Sequence, residues 1–390
     1  MFNQTVPAPV DQDELALALK PFGSSRMLPK AAYVDPEVLA WERQNIFSGW
    51  ICVGRAEDVP DNRTMKAFDI GESGVLVVRG DDGKLRAFEN ACRHRGHELL
   101  PCGGTASPRV IMCPYHAWTY DLDGSLMRAP GFQSHGDFDK SEFGLFAMPV
   151  EEWHGWLFVD PSRSAGAFAD HVGELEEIVT RYDGAHLRTP VTHTYDVAAN
   201  WKVIVENYQE CYHCAMIHPE LCRVSPPESG DNVELHGDWV GGWMELRESA
   251  QTMSLTGKSG GVAIQGLSEQ ELRTVMYLVG YPNLLVSLHP DYVMTHLMTP
   301  LAADRTHVEC AWAFPKDVAA RPDFDPSYAV DFWDLTNRQD WGACESVQRG
   351  LTSPHARPGP LAPDEDGVYQ FVTRVAKAYA GSADPAQAPH

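Results

Sequence analysis

Apolar residues change their spacing several times along this chain. Residues 1–44 hold one short helical pattern in a mostly polar stretch and read as an N-terminal arm. From "GWICVGRAEDVP" to "GWLFVDPSRSAG" the apolar positions gather into short β-type runs such as "VLVVRG" and "LRAFEN". Turn-forming stretches break these runs, "DDGK" at 81–84 and "DLDG" at 121–124 among them, which predicts a small antiparallel β domain over 45–160. In "HVGELEEIVTRYDG" the spacing turns helical. "VTHTYDVAANWKVIVENYQECYHC" then passes from a strand into a helix with Asn200 as its N-cap, the helix running to Tyr212.

A second β-rich stretch follows, from "TVMYLVGYPNLLVSLHPDYVMTHLMTPL" through "THVECAWAFP", and then a long helix at about 326–350. "SPHARPGPLAPDEDG" is a Pro-rich loop, and "VYQFVTRVAKAYA" is a last helix expected to dock through Phe371 and Val375. The pattern predicts an α+β chain whose second domain, 161–380, combines a curved sheet with long helices. Residues 381–390 read as a disordered tail.

Composition narrows the classes. The chain has 390 residues, 44% of them hydrophobic, enough for two or three domains with real cores. A net charge of -23 argues against a nucleic-acid partner, because phosphate binding needs clustered Lys and Arg, and is compatible with a cationic small ligand. No apolar run reaches the length of a membrane span, and the acidic N-terminus lacks the order of a signal peptide, so a cytoplasmic location is expected. Nine cysteines do not suggest a disulfide framework and read as reduced thiols, some of them metal ligands.

Two clusters carry the chemistry. In "CRHRGHELLPCGGTASPRVIMCPYH", Cys92 and His94 form Cys-x-His and, eighteen residues on, Cys113 and His116 form Cys-x-x-His. Two thiolates and two imidazoles can hold tetrahedral zinc, or a [2Fe–2S] centre with cysteines on one iron and histidines on the other. In "VENYQECYHCAMIHPE", Glu206, Glu210 and His213 follow spacings of four and three and would share a helical face. His218 stands about 140° from His213 on an ideal helix. Pro219 disfavours helical backbone at 218, so a distortion there can swing the two imidazoles together. On the long helix Trp333, Asn337, Asp340, Cys344, Val347 and Leu351 make a stripe in which Asp340 is the acid, whereas Asp334 and Glu345 lie off it. Two His and one carboxylate are the facial triad of non-haem Fe(II) oxygenases.

Competing motifs are incomplete. "HPE" at 218–220 lacks the Pro-Cys-x-x-Cys of zinc deaminases, and "TGKS" at 256–259 has Thr252 where a phosphate loop needs Gly. Cys211, Cys214 and Cys222 could form a zinc knuckle, but apolar packing on a helix is the simpler account of Cys211 and Cys214.

Taken together, "CRH…CPYH", "ENYQECYHCAMIH" and "NRQDWGACESVQRGL" resemble the Rieske non-haem iron oxygenases, catalytic α subunit, over roughly residues 40–350. The resemblance implies a Rieske [2Fe–2S] cluster on Cys92, His94, Cys113 and His116, and mononuclear Fe(II) on His213, His218 and Asp340. It implies a helix-grip second domain, a ring of three subunits, and Glu210 as a bridge from the mononuclear site to a Rieske histidine of the neighbouring subunit. With Tyr115 before His116, the second cysteine of the respiratory-type disulfide is missing, which points to the ferredoxin or oxygenase kind. Glu at 210, where aromatic-ring dioxygenases usually carry Asp, is similar to the branch acting on choline, carnitine, betaine and stachydrine. That implies O2-dependent hydroxylation next to nitrogen, or N-demethylation, with electrons from a separate NAD(P)H-dependent flavin/iron–sulfur reductase. Tyr208, Tyr212, Trp239, Trp243, His289 and Tyr292 are candidates for a cation cage. Two other readings are an oxygenase that hydroxylates or O-demethylates an aromatic acid, and a Rieske electron carrier without oxygenase activity.

Overall fold

The computed structural model describes residues 6–71, 74–132 and 136–381. The tail expected at 381–390 lies outside the described residues from 382 onward. The chain forms two compact units, one of residues 48–168 and one of residues 1–47 with 169–390.

The smaller unit is built from antiparallel sheets of five, three and three strands. Its central strand, Gly74–Arg79, is apolar at four consecutive positions because both faces are covered: Val75, Leu76, Val77 and Val78 are all fully buried. The two turn signals close hairpins as expected. Gly83 and Gly124 adopt positive φ, and a Cβ at Gly124 would collide with the Phe88 ring, so that turn admits only glycine.

In the larger unit a seven-stranded antiparallel sheet starts from strand Leu187–Val197, which pairs with Arg305–Pro315. It continues through Val293–Ala302, Leu284–Leu288, Thr274–Gly280 and Trp239–Glu245 to Asp231–Val233. Helices Ser327–Leu351 and Asp366–Tyr379 join it around one core, with Phe371 and Val375 fully buried. This is the α+β, helix-grip arrangement. The segment 168–183 is not one continuous helix. Gly173, at φ 49°, separates Phe168–Val172 from Leu175–Val179, and a Cβ there would overlap the carbonyl of His236.

Residues 6–47 hold three helices rather than one, Gln12–Ala18, Ala31–Val34 and Pro36–Asn45. They are anchored to the large core by a buried charge. Lys202 and Glu42 are both inaccessible and pair at 2.5 Å, while Glu42 also accepts hydrogen bonds from Trp201 Nε1 (2.9 Å) and the Tyr379 hydroxyl. Glu42→Ala would leave a buried ammonium without its hydrogen-bonded carboxylate, with only Glu206, itself pushed up by burial, as an acidic neighbour. We expect it to cost about 3–5 kcal/mol of stability, read as a lowered denaturation midpoint with unchanged slope.

The long helix departs from its expected stripe at one end. Val347 is half exposed and Gln348 is buried instead. Both ends of that amide are satisfied: Oε1 accepts from the Asn200 amide N–H and Nε2 donates to the Tyr33 carbonyl, each at 2.9 Å.

Candidate metal centres and cavity

In the smaller unit, two loops of matching construction present the first cluster. Cys92 donates its N–H to the carbonyl of His97 and accepts from the N–H of Gly96. Cys113 does the same with Trp118 and Ala117. Gly96 and Ala117 both take positive φ, so each loop curls back behind its cysteine. Both thiols are buried, and Cys92 Sγ lies 3.2 Å from the Tyr120 hydroxyl. The His94 and His116 rings are 4.8 Å apart, and His94 stacks on Trp118 with rings 5° from parallel. His94 Nδ1 is buried with no hydrogen-bond partner, which leaves a lone pair for an iron to take. His97 is exposed, its ring packs on Tyr115, and its Nδ1 is taken by the Glu98 carbonyl at 2.6 Å.

In the larger unit Asn200 caps helix Trp201–Tyr208 by accepting from the Lys202 N–H at 3.0 Å. The helix ends at Tyr208, four residues earlier than expected. Glu210 diverts the backbone by accepting from the His213 N–H (3.1 Å), and a Cys211–Cys214 disulfide closes the same turn. Cys211 and Cys214 are therefore neither reduced nor on one helix. The proposed face of Glu206, Glu210 and His213 does not form. Glu206 points into the core, accepts from the Tyr33 hydroxyl (2.7 Å), and is pushed up by burial to about 8.

His218 breaks the helical path at φ -117°, ψ 65°, between helices Cys214–Ile217 and Pro219–Val224. That break brings three donors together. His213 Nε2 and His218 Nε2 are 3.1 Å apart, and Asp340 Oδ1 is 2.8 Å from the second and 3.4 Å from the first. The other ring nitrogens are engaged: His213 Nδ1 donates to Glu210 Oε1 (2.5 Å) and His218 Nδ1 to Gln339 Oε1 (2.7 Å). In those tautomers two imidazole lone pairs and a carboxylate oxygen face one point. Such a set is repulsive unless a cation occupies it, so the donors fit a divalent metal.

Burial pulls His213 down, but its hydrogen bonds to Asp340 and Glu210 outweigh burial and hold it up at about 9. A proton thus competes with the metal below that pH. Metal affinity of the apo site is expected to fall as pH drops through about 9, by about tenfold per unit for each proton displaced. Anaerobic Co(II) titrations at pH 8.5 and 6.5 check this; equal affinities would contradict it.

A cavity of about 740 Å³ opens beside the triad. His213, His218 and Asp340 lie in its wall with Tyr208, Tyr212, Trp243, Tyr277 and Trp333. Three of the expected cage residues are elsewhere: Trp239, His289 and Tyr292 are buried core, and Tyr292 is tied to Trp333 and the Met253 carbonyl. The sequence reading missed Tyr277 as a wall residue, although the alternation of its strand could have placed it there. It also missed Gln339, whose only signal was its place beside Asp340, and the acids Glu228, Asp231, Asp364 and Asp366. Those acids sit mostly on loops or at element ends, where no periodicity marks them.

Two segments of the chain match known families: residues 49–143 the Rieske [2Fe-2S] domain, and residues 186–381 the ring hydroxylating alpha subunit (catalytic domain). The chain belongs to the ring-hydroxylating alpha subunits, oxygenases that pair a Rieske cluster with a mononuclear iron. Within that family it is 30% identical to the glycine betaine monooxygenase oxygenase subunit of Pseudomonas aeruginosa, over 88% of this chain and 87% of the relative. It is 41% identical to the carnitine monooxygenase oxygenase subunit of Acinetobacter baumannii, over 49% of this chain and 52% of that one. Its structure is similar to the quaternary ammonium Rieske monooxygenase CntA, with a TM-score of 0.80 at 25% identity, covering 96% of this chain and 100% of that one. The chain is thus an oxygenase subunit, and such a subunit works with a separate reductase and a small-molecule substrate. Among the described residues no helix is long and apolar enough to cross a membrane.

Proposed function

We propose that the chain is the oxygenase component of a monooxygenase acting on a small quaternary ammonium or N-methyl compound. The observation that carries this reading is the cavity itself, with aromatic rings and acidic side chains in the wall that holds the His213, His218 and Asp340 donors. Aromatic faces attract alkylammonium groups, and desolvation inside a cavity strengthens that attraction. The relatives named for glycine betaine and carnitine support it.

In this reading Cys92, His94, Cys113 and His116 hold the cluster, and His213, His218 and Asp340 hold the iron. The iron supplies O2 activation when bound. The chain's own residues do the rest: the aromatic wall presents an N-methyl group, and Glu210 and Gln339 orient the two imidazoles. One O2, two electrons and two protons convert N–CH3 to N–CH2OH and water. The N–CH2OH group then loses formaldehyde.

Glu210 we further propose as the bridge to a Rieske histidine of a neighbouring subunit in a trimer. Exposed apolar side chains support this: Tyr212 and Met216 beside Glu210, and Met112 and Tyr115 beside Cys113 and His116. The same reading places the enzyme in the cytoplasm with an NAD(P)H-dependent flavin/iron–sulfur reductase. Substrate-dependent O2 uptake over a panel of N-methyl compounds and aromatic acids, with formaldehyde assayed in parallel, tests it. Formaldehyde or hydroxylated product from an ammonium compound is expected; turnover of aromatic acids alone would overturn the reading. The aromatic-acid alternative has no counter-ion to offer its carboxylate, since the cavity wall has neither Lys nor Arg among the described residues.

A further inference from the structure

Among the described residues seven cysteines are free thiols and one pair, Cys211 and Cys214, is joined. That pair brackets His213 and begins directly after Glu210. Both cysteines stand in the cavity wall, Cys211 half-buried and Cys214 buried, next to the exposed Tyr212. Cys211 is the more open of the two to a molecule that enters the cavity.

The bond is a poor staple for the whole fold. It closes a loop of four residues, and what a disulfide gains by restricting the unfolded chain shrinks with loop length. Its effect is local. Inside the loop the His213 N–H is turned to Glu210 Oε2 and the Cys214 N–H to the Cys211 carbonyl, each at 3.1 Å. Neither makes the bond to the fourth residue back that a continued helix would give. The helical pattern of the sequence nevertheless runs to Tyr212, so this turn is held against the preference of its own residues. Two restraints hold it, the Glu210 carboxylate and the disulfide, and only the disulfide can be made and broken by a reaction. In a chain whose other thiols stay free, a bond of this kind fits redox response better than permanent bracing.

Resting on the reading that His213 holds the iron, we propose that Cys211 and Cys214 are a thiol–disulfide exchange site, closed by a low-molecular-weight disulfide and opened by the corresponding thiol, and that the closed bond fixes His213 and Glu210 for metal retention. In closing, the Cys211 thiolate attacks the small disulfide and expels one thiol. The Cys214 thiolate then attacks the Cys211 sulfur and expels the second. Two electrons and two protons pass from the cysteine pair to the small disulfide, which becomes two thiols; opening is the reverse. In the open turn the backbone is free to follow its helical preference, which draws the His213 N–H away from Glu210 and loosens the imidazole that Glu210 orients.

The test uses holoenzyme equilibrated without O2 in mixtures of reduced and oxidised glutathione, then alkylated and digested. Mass spectrometry of the peptide carrying residues 211–214 reads the closed fraction, and release of iron to a chelator reads its consequence. The closed fraction is expected to rise with the oxidised share in one two-electron step. The open form should release the mononuclear iron about tenfold faster, with the visible absorption of the cluster unchanged. Cys211→Ser and Cys214→Ser should release iron at the open-form rate in every mixture, which separates the bond from any pull of glutathione on the metal. The titration of the parent chain stands without them if neither folds.

A pair that stays reduced, or stays bonded, across the whole range overturns the proposal. So does equal iron release from the two forms in a chain whose mononuclear iron is removed by His213→Ala. Iron retained in full by His213→Ala overturns the ligand assignment instead.

Discussion

Asp340→Ala is expected to lose the mononuclear iron and keep the Rieske cluster. Asp340 contributes the only carboxylate oxygen of the three converging donors, and burial raises it while the His213 and His218 imidazoles outweigh that and hold it low. Without that oxygen two neutral nitrogens remain, 3.1 Å apart, in a site that no longer balances a divalent charge. Iron should fall from about three atoms per chain to about two, with the visible absorption of the cluster unchanged. Turnover should fall by about a thousandfold or more, because O2 activation needs the lost metal. Metal analysis with spectroscopy of the dithionite-reduced protein reads both centres separately. Full iron retention would mean that another acid binds it.

Glu210 gives the second large effect. Both of its oxygens are used, one by His213 Nδ1 and one by the His213 N–H, so it orients a ligand, and the proposed route for electrons would run through the same side chain. Glu210→Gln keeps an acceptor for Nδ1 and removes the charge; Glu210→Ala removes both. If Glu210 only positions His213, the Gln variant should behave nearly as the parent and the Ala variant should lose iron. If it bridges to a neighbouring subunit, both variants keep their metals, and oxidation of the reduced cluster by O2 in the presence of substrate slows by about 10–100-fold or more. Rapid-mixing absorbance of the cluster with iron analysis separates the two cases. Normal turnover in the Ala variant would remove the bridging role.

Much of this was legible in the sequence. Cys-x-His and Cys-x-x-His state a donor set whichever way the loops bend, because ligand type and local spacing are written in a few adjacent residues. The run of four apolar residues at 75–78 and the helical spacing before Gly350 gave the strands and the long helix, since burial of one face or two imposes a period. Pro219 foretold the break at His218 for a local reason, the clash of its ring with helical backbone one residue earlier.

Other features depended on side-chain bonds, near or distant in sequence, that residue period does not reveal. Helical propensity carried the expected helix to Tyr212, whereas the carboxylate of Glu210 and the Cys211–Cys214 bond end it at Tyr208. Glu206 shares a sequence period with Glu210 but is captured by Tyr33, 173 residues away. Trp239, His289 and Tyr292 have the chemistry of a cation cage and lie in the core, while Tyr277 reaches the cavity through strand register. Residue type and short-range period are properties of the chain alone, so they fix which elements form and which donors exist. Which side chains face the same cavity is decided by pairing between distant segments, and a shift of one residue in that register would turn every one of them the other way.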